Sequence, residues 1–300
     1  MDTRPVIFVS TPLAQNLSDQ QRELISGILR QIESNGIRLA PEFPSTATMA
    51  QMYECVRRSH GMLVVALSQW KAYRLYRDKT KDLVMPSEFA HVMNAMAIAA
   101  QRPLLVLREK TVAARGSLRT GSIHPVVEMP RQAGLEWLET RTFKGALSDW
   151  LKKVREHRHV FLGYSSQARD TANAVKRFLI DMLQITVLDW HDFQPGEMII
   201  QRIEEAERLT LCGIFLFMAD DYIELGAAHQ SVPRDNVIYE AGYFAGAKGQ
   251  RHTLVIREQC AKIPTDLGGL IYLEMRDRTD IASIEARLSR YLADMLDIQH

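Results

Sequence analysis

Apolar positions fall into two alternating rhythms along this 300-residue chain. In short runs such as Gly61 to Leu67 and Cys212 to Met218, nearly every position is apolar. They lack the period-two alternation of a half-exposed strand, so they predict strands of a parallel sheet covered on both faces. Longer stretches carry apolar residues at three-four spacing: Leu24, Ile28 and Ile32 within Asp19 to Ser34, and Ala174, Phe178 and Met182 within Asp170 to Leu183. These predict amphipathic helices with one face on a sheet.

The pattern occurs twice. Val6 to Ser10 opens the chain, and a similar run, Val160 to Ser166, opens its second half. Gln101-Arg102-Pro103-Leu104-Leu105-Val106-Leu107-Arg108-Glu109 is echoed by Gln250-Arg251-His252-Thr253-Leu254-Val255-Ile256-Arg257-Glu258, an offset of 149 residues (258 − 109). Each half closes with an amphipathic helix, about Gly145 to His157 and about Ile281 to Leu296. Strand and helix alternate throughout, which predicts two tandem α/β domains, residues 1–157 and 158–300, each a parallel sheet between helical layers. In such folds ligands gather at the carboxyl ends of the strands, where strand order reverses.

Composition narrows the function. Lys and Arg total 37 against 36 Asp and Glu, a net charge of +1, which argues against a nucleic-acid polymer as partner. The three cysteines, Cys55, Cys212 and Cys260, have neither metal nor disulfide spacing, and Cys212 reads as a core thiol. The chain shows no targeting segment and no apolar run long enough to span a bilayer, so a cytoplasmic protein without a membrane partner is expected.

Special residues concentrate in three loops of the second half. Gly163-Tyr164-Ser165-Ser166-Gln167 places small hydroxyls after a strand, where they either bind phosphate and ribose oxygens or cap the next helix. Trp190-His191-Asp192-Phe193-Gln194-Pro195-Gly196-Glu197 sets aromatics in a polar turn, suited to stacking on a ring or to roofing the core. In Ser231 to Phe244, Asp235 or Asn236 can cap a helix running to about Lys248. That helix carries Glu240 among Val237, Ile238, Ala241 and Phe244. A carboxylate on an apolar helix face is costly unless it has a task or a partner, and Arg234 is the nearest cation in sequence.

The runs Pro233-Arg234-Asp235-Asn236-Val237-Ile238-Tyr239-Glu240, Phe193-Gln194-Pro195-Gly196-Glu197 and Lys262-Ile263-Pro264-Thr265-Asp266-Leu267-Gly268-Gly269-Leu270 resemble the signatures of bacterial TIR-like domains found as CBASS and Pycsar effectors. The resemblance covers roughly residues 158 to 275. It implies two TIR-like (flavodoxin-type) domains, with hydrolysis of NAD at the nicotinamide–ribose bond in the second. Glu240 would be the catalytic carboxylate, with Tyr164, Ser165, Trp190, Phe193, Arg234 and Asp235 around the substrate. NAD enters as substrate, with no cofactor and no metal. A role in antiviral defence, a nucleotide second messenger as signal and a homo-oligomer built through TIR–TIR contacts follow from the same resemblance. One position departs: relatives often carry Ser-Ser-Glu where this chain has Ser165-Ser166-Gln167.

The first half lacks the Pro-Arg-Asp-Asn run and is expected to regulate, sense or scaffold. In the register of the later strand, His91 falls opposite Glu240 (240 − 149), and Glu88 lies one turn earlier. Glu88 is either a second catalytic carboxylate or a first-turn acid behind the cap Ser87. The basic, aromatic segment Trp70 to Asp82 reads as a nucleotide-binding or a solvated loop. Two other functions stay open: a catalytically silent nucleotide sensor or TIR–TIR adaptor, and an enzyme resembling nucleoside deoxyribosyltransferases.

Overall fold

In a computed structural model, residues 4–43, 46–73, 82–121, 124–190, 199–225, 228–262, 264–267 and 269–296 are described. Two compact units divide the chain, one from Arg4 to Glu156 and one from His157 onward.

In the first unit, β1 (Val6–Ser10), β2 (Arg38–Leu39), β3 (Gly61–Ala66), β6 (Leu104–Glu109) and β7 (Val126–Met129) pair in parallel in the order β2-β1-β3-β6-β7. Between β3 and β6 lies a short antiparallel hairpin, β4 (Trp70–Ala72) with β5 (Leu83–Met85). The helices are α1 (Asp19–Ser34), α2 (Met49–Arg58), α3 (Glu88–Ala99) and α4 (Arg141–Glu156).

The second unit repeats this plan. β8 (Arg158–Gly163), β9 (Val187–Leu188), β10 (Thr210–Phe217), β13 (Thr253–Glu258) and β14 (Ile271–Met275) pair in parallel in the order β9-β8-β10-β13-β14. A hairpin of β11 (Asp221–Leu225) and β12 (Ala228–Val232) again follows the third strand. Its helices are α5 (Arg169–Arg177), α6 (Ile199–Leu209), α7 (Asp235–Lys248) and α8 (Glu285–Leu296). Both sheets therefore have the flavodoxin order 2-1-3-4-5, which reverses direction between the first and third strands.

The all-apolar strands are needed because each sheet separates two cores. On β3, Leu63 and Val65 face one cluster with α1 and α4, while Met62 and Val64 face another with α2 and α3. On β10, Ile214 and Leu216 pack towards α5 and α8, and Phe215 and Phe217 towards α6 and α7. Period-two strand geometry thus sends every residue to one core or the other.

The duplication extends to polar contacts. Arg108 on β6 pairs with its register neighbour Glu128 on β7, and Arg257 on β13 pairs likewise with Glu274 on β14. Glu109 accepts the Ser68 N–H at 3.2 Å, and Glu258 accepts that of Ala219 at 2.9 Å. Each time, the carboxylate ending the fourth strand pins the chain leaving the third.

Several local expectations are refined. α1 has the expected bounds, set by a capping box between Ser18 and Gln21. α4 starts at Arg141, before Gly145, because the Thr140 hydroxyl accepts the Phe143 N–H. The helix expected from Asp170 to Leu183 is α-helical only to Arg177 and continues as a π turn over Phe178–Met182. Both hairpins are additions to the sequence reading: the segment 70–82 is not wholly loop, since Trp70 pairs with Met85 and Lys71 with Val84. Residues 74–81 of that segment, with Arg74 and Arg77, lie outside the described residues.

Candidate active site

Glu240 is at the sixth position of α7, and the 3.6-residue repeat puts it on the buried stripe with Val237, Ala241 and Phe244. That stripe faces the aromatic end of the second sheet. Phe161 of β8 stacks on Phe244 with centroids 5.2 Å apart, Phe215 of β10 meets Phe244 edge-on at 5.2 Å, and Trp190 meets Phe161 edge-on at 5.5 Å. The carboxyl sits above this cluster beside Gly163, the last residue of β8. A Cβ placed on Gly163 would lie 2.8 Å from Glu240 Oε2 and 2.5 Å from the Phe215 ring. Gly163 and Phe215 are register partners across β8 and β10, the pair of strands at which the order reverses. The carboxyl therefore occupies the place where this fold holds ligands.

Its electrostatics are unusual. Glu240 is only 4% exposed, and Oε2 has no hydrogen-bond partner among the described residues. Burial pushes the carboxyl up to about 8, while a hydrogen bond from the Trp190 side chain pulls the other way. The indole N–H, the sole polar group of a Trp side chain, is the donor. Arg234 does not partner Glu240: at the N-cap position of α7, it pairs with Asp221 at 3.2 Å. With the Gln167 amide turned to satisfy both its groups, Gln167 accepts from Arg234 Nη2 at 2.7 Å and donates to the Asp220 carbonyl at 3.2 Å. Position 167 is thus part of this edge although it carries no charge.

The other expected residues divide into three groups. Ser165 is buried, and its hydroxyl accepts the Ala168 N–H at 3.2 Å, which makes it the cap of a short 3-10 turn. Tyr164 packs against the α5 and α8 core, and Asp235 is an exposed first-turn acid. Phe193 and the rest of 191–198 lie outside the described residues. Leu267 and Leu270, from the third signature run, join the aromatic cluster. Among the described residues no group of His, Cys, Asp or Glu is placed to hold a metal, and no helix is long and apolar enough to cross a membrane. Cys212 is wholly buried, with its thiol pushed up to about 12.

Contacts that the sequence reading missed lie at the same edge. Gly163 was read as a donor loop, whereas its lack of a side chain makes room for a carboxylate and a ring. Arg278, Asp220 and Asp221 belong to no motif; only the fold brings them together.

Among the described residues the first unit has no buried carboxyl at the corresponding place. The buried residues of α3, Ala90, Met93, Asn94 and Ala97, repeat Val237, Glu240, Ala241 and Phe244 at an offset of 147 (240 − 93). This register differs by two from that of the strands. It sets Met93, not His91, opposite Glu240, and Glu88 opposite Asp235 (235 − 88). Glu88 is exposed and borders an open cavity of about 360 Å³ with Trp70, Met85, Pro86 and His91. Ser87 takes the N-cap position without a side-chain cap bond. Burial and the nearby Arg115 hold the His91 imidazole below its ordinary value.

Two doubly wound units follow one another along the chain, and the second carries a buried carboxyl at its strand-order switch. Residues 159–277 match the model described as CAP12/Pycsar effector protein, TIR domain. The chain is 34% identical over 113 residues to CD-NTase-associated protein 12 of Lachnospiraceae bacterium (strain RUG226), covering 37% of this chain and 35% of that one. It is 32% identical over 113 residues to CD-NTase-associated protein 12 of Flavobacterium daejeonense, covering 37% and 36%. It is 28% identical over 135 residues to Pycsar effector protein PaPycTIR of Pseudomonas aeruginosa, covering 43% of each. The matched segment of this chain spans between about a third and under half of the length of these relatives.

Proposed function

We propose that the second unit is an NAD glycohydrolase in which Glu240 is the catalytic carboxylate. The observation that carries this reading is a buried carboxyl at the strand-order switch, with one oxygen unpartnered among the described residues. A group raised to about 8 by burial is ready to ionise when a cation enters beside it. NAD brings such a cation in its pyridinium ring. As the C1′–N bond breaks, the electron pair goes to the ring nitrogen and nicotinamide leaves neutral. Positive charge then develops on C1′, where the carboxylate stabilises it. Water adds to C1′, and its proton passes to the carboxylate or to solvent, giving ADP-ribose. The Trp190 indole sits beside the carboxyl and offers a face to the nicotinamide ring.

The relatives' names, CD-NTase-associated protein and Pycsar effector protein, support reading the chain as an effector. The proposal adds a role in antiviral defence and activation by a nucleotide signal or by assembly into a homo-oligomer through TIR–TIR contacts. The first unit regulates or scaffolds this activity, a reading favoured by Met93 in place of a carboxylate. The deciding experiment is chromatographic product analysis with NAD at high protein concentration, comparing the wild type with Glu240→Gln. Nicotinamide from the wild type alone supports the proposal. Equal release by both removes Glu240 from the chemistry, and a parallel panel of nucleosides tests the transferase alternative.

A further inference from the structure

A second feature of the carboxyl edge lies outside the residues matched by the family model. Arg278, in the turn after β14, sends its guanidinium across the ends of three other strands. Nη1 donates to the Gln167 carbonyl at 3.2 Å, beyond β8. Nη2 donates to the Ala219 carbonyl at 2.8 Å, beyond β10, and lies 2.9 Å from Asp220 Oδ1. Nε donates to Glu258 Oε2, at the end of β13, at 3.2 Å. The Arg278 carbonyl accepts the Thr171 hydroxyl at 3.0 Å, which ties the same turn to α5.

These contacts converge on the parts that frame Glu240. The Gln167 carbonyl belongs to the turn that begins just after Gly163, against which Oε2 rests. Its side chain reaches Arg234 at the start of α7. Ala219 follows β10, which supplies Phe215. Asp220 has a fully buried carboxylate, with Arg278 as a cation in contact range. A planar guanidinium with several fixed donors can span such a set, whereas a lysine ammonium cannot.

We infer that Arg278 is a positioning residue: it locks the loops after β8, β10 and β13 in the arrangement that presents Glu240 to the substrate. The catalytic half of this inference rests on the NAD-hydrolysis reading above. Arg278 touches no reacting atom in that scheme, so its loss should lower kcat and leave KM nearly unchanged. Small displacements of a catalytic group cost up to about a hundredfold in rate.

The test compares the full chain with Arg278→Lys and Arg278→Met. It measures kcat and KM for NAD, thermal melting, and deuterium uptake of peptides spanning 163–169 and 219–221. In both variants kcat is expected to fall about ten- to a hundredfold. Uptake should rise in those two segments, and Arg278→Lys should melt close to the wild type. Full kcat in Arg278→Lys would reduce the residue to charge balance and overturn the inference, as would unchanged uptake in that variant. Arg278→Lys carries the test alone if Arg278→Met does not fold. A wild type that releases no nicotinamide at high protein concentration, with or without a panel of cyclic nucleotide signals, sinks the NAD reading, while uptake still decides whether Arg278 fixes the loops.

Discussion

Gly163 and Glu240 share one space: a methyl group on the glycine would stand 2.8 Å from Oε2 of the carboxyl. The same methyl would come within 2.5 Å of the Phe215 ring, so it meets a neighbour on two sides. Gly163→Ala is therefore expected to displace the carboxyl from β8. Overpacking of this kind costs about 1–3 kcal/mol. Nicotinamide release should fall on the order of tenfold or more, because the displaced group is the one proposed to face C1′. Melting and steady-state kinetics measure the two effects separately. An alanine variant with wild-type kcat would show that the contact does not set the position of Glu240.

Burial of Glu240 makes stability depend on pH in the direction opposite to a salt-bridged acid. Its folded value of about 8 lies above the ordinary value of 4.5, so the folded state holds a proton that the unfolded state has already lost. Below 4.5 both states are protonated and the group contributes no pH dependence. Between the two values each pH unit removes about 1.4 kcal/mol of stability, and the loss is complete above the folded value. Glu240→Gln should abolish this slope. The variant is expected to gain on the wild type steadily from pH 5 to pH 8 in urea unfolding, and parallel curves would refute the assignment. Activity has the reverse sign: kcat/KM for NAD should rise with pH through a midpoint near 8 and level off above it, as the carboxylate form accumulates.

Trp190 donates to that same carboxyl while its ring packs edge-on against Phe161. Trp190→Phe keeps most of the packing and deletes the donor. The hydrogen bond favours the ionised acid, so its loss should push the Glu240 carboxyl further up. Hydrogen bonds to charged groups contribute about 1.5–3 kcal/mol, so kcat/KM at pH 7 is expected to fall on the order of tenfold. A pH series distinguishes this from lost stacking. An unshifted rise in kcat/KM with a uniformly lower plateau would mean that the indole acts through its face alone.

The sequence made the scaffold legible and much of the site's wiring illegible, for one reason. Apolar strands and amphipathic stripes are local signals, and β3, β10 and α1 follow from them directly. Glu240 stood out because a charge on an apolar stripe is itself a local anomaly. The contacts that give Glu240 its properties are distant in sequence: Gly163 is 77 positions away and Trp190 is 50 (240 − 163 and 240 − 190). Arg278 carried no signal, since an arginine in a charged turn is ordinary until three other strand ends meet around it. The hairpins were missed because three to five residues are too few to show a period. The two-residue shift between strand and helix registers explains why His91 stood opposite Glu240 in the sequence, while Met93 takes that place in the fold.

That shift separates the two units in a way that two substitutions can test. Glu88 sits on the exposed first turn of α3, opposite Asp235, so Glu88→Gln should leave nicotinamide release within about twofold of wild type. A collapse of activity would instead make the first unit a second catalytic centre. Met93 is 2% exposed and lies among Val64, Val106 and Leu118 in an apolar cluster. Met93→Glu would set a carboxyl at the Glu240 position of the first unit, and the described residues there include no tryptophan in place of Trp190. Burying a polar group without a compensating donor costs about 1–3 kcal/mol, and the cost should grow as pH rises and the acid resists ionising. Urea unfolding of Met93→Glu at pH 5 and pH 8 is expected to show a deficit at both, larger at pH 8. Equal stability to wild type at pH 8 would mean that the first unit supplies a partner for a carboxyl there, and the regulatory role proposed for that unit would lose the support of Met93.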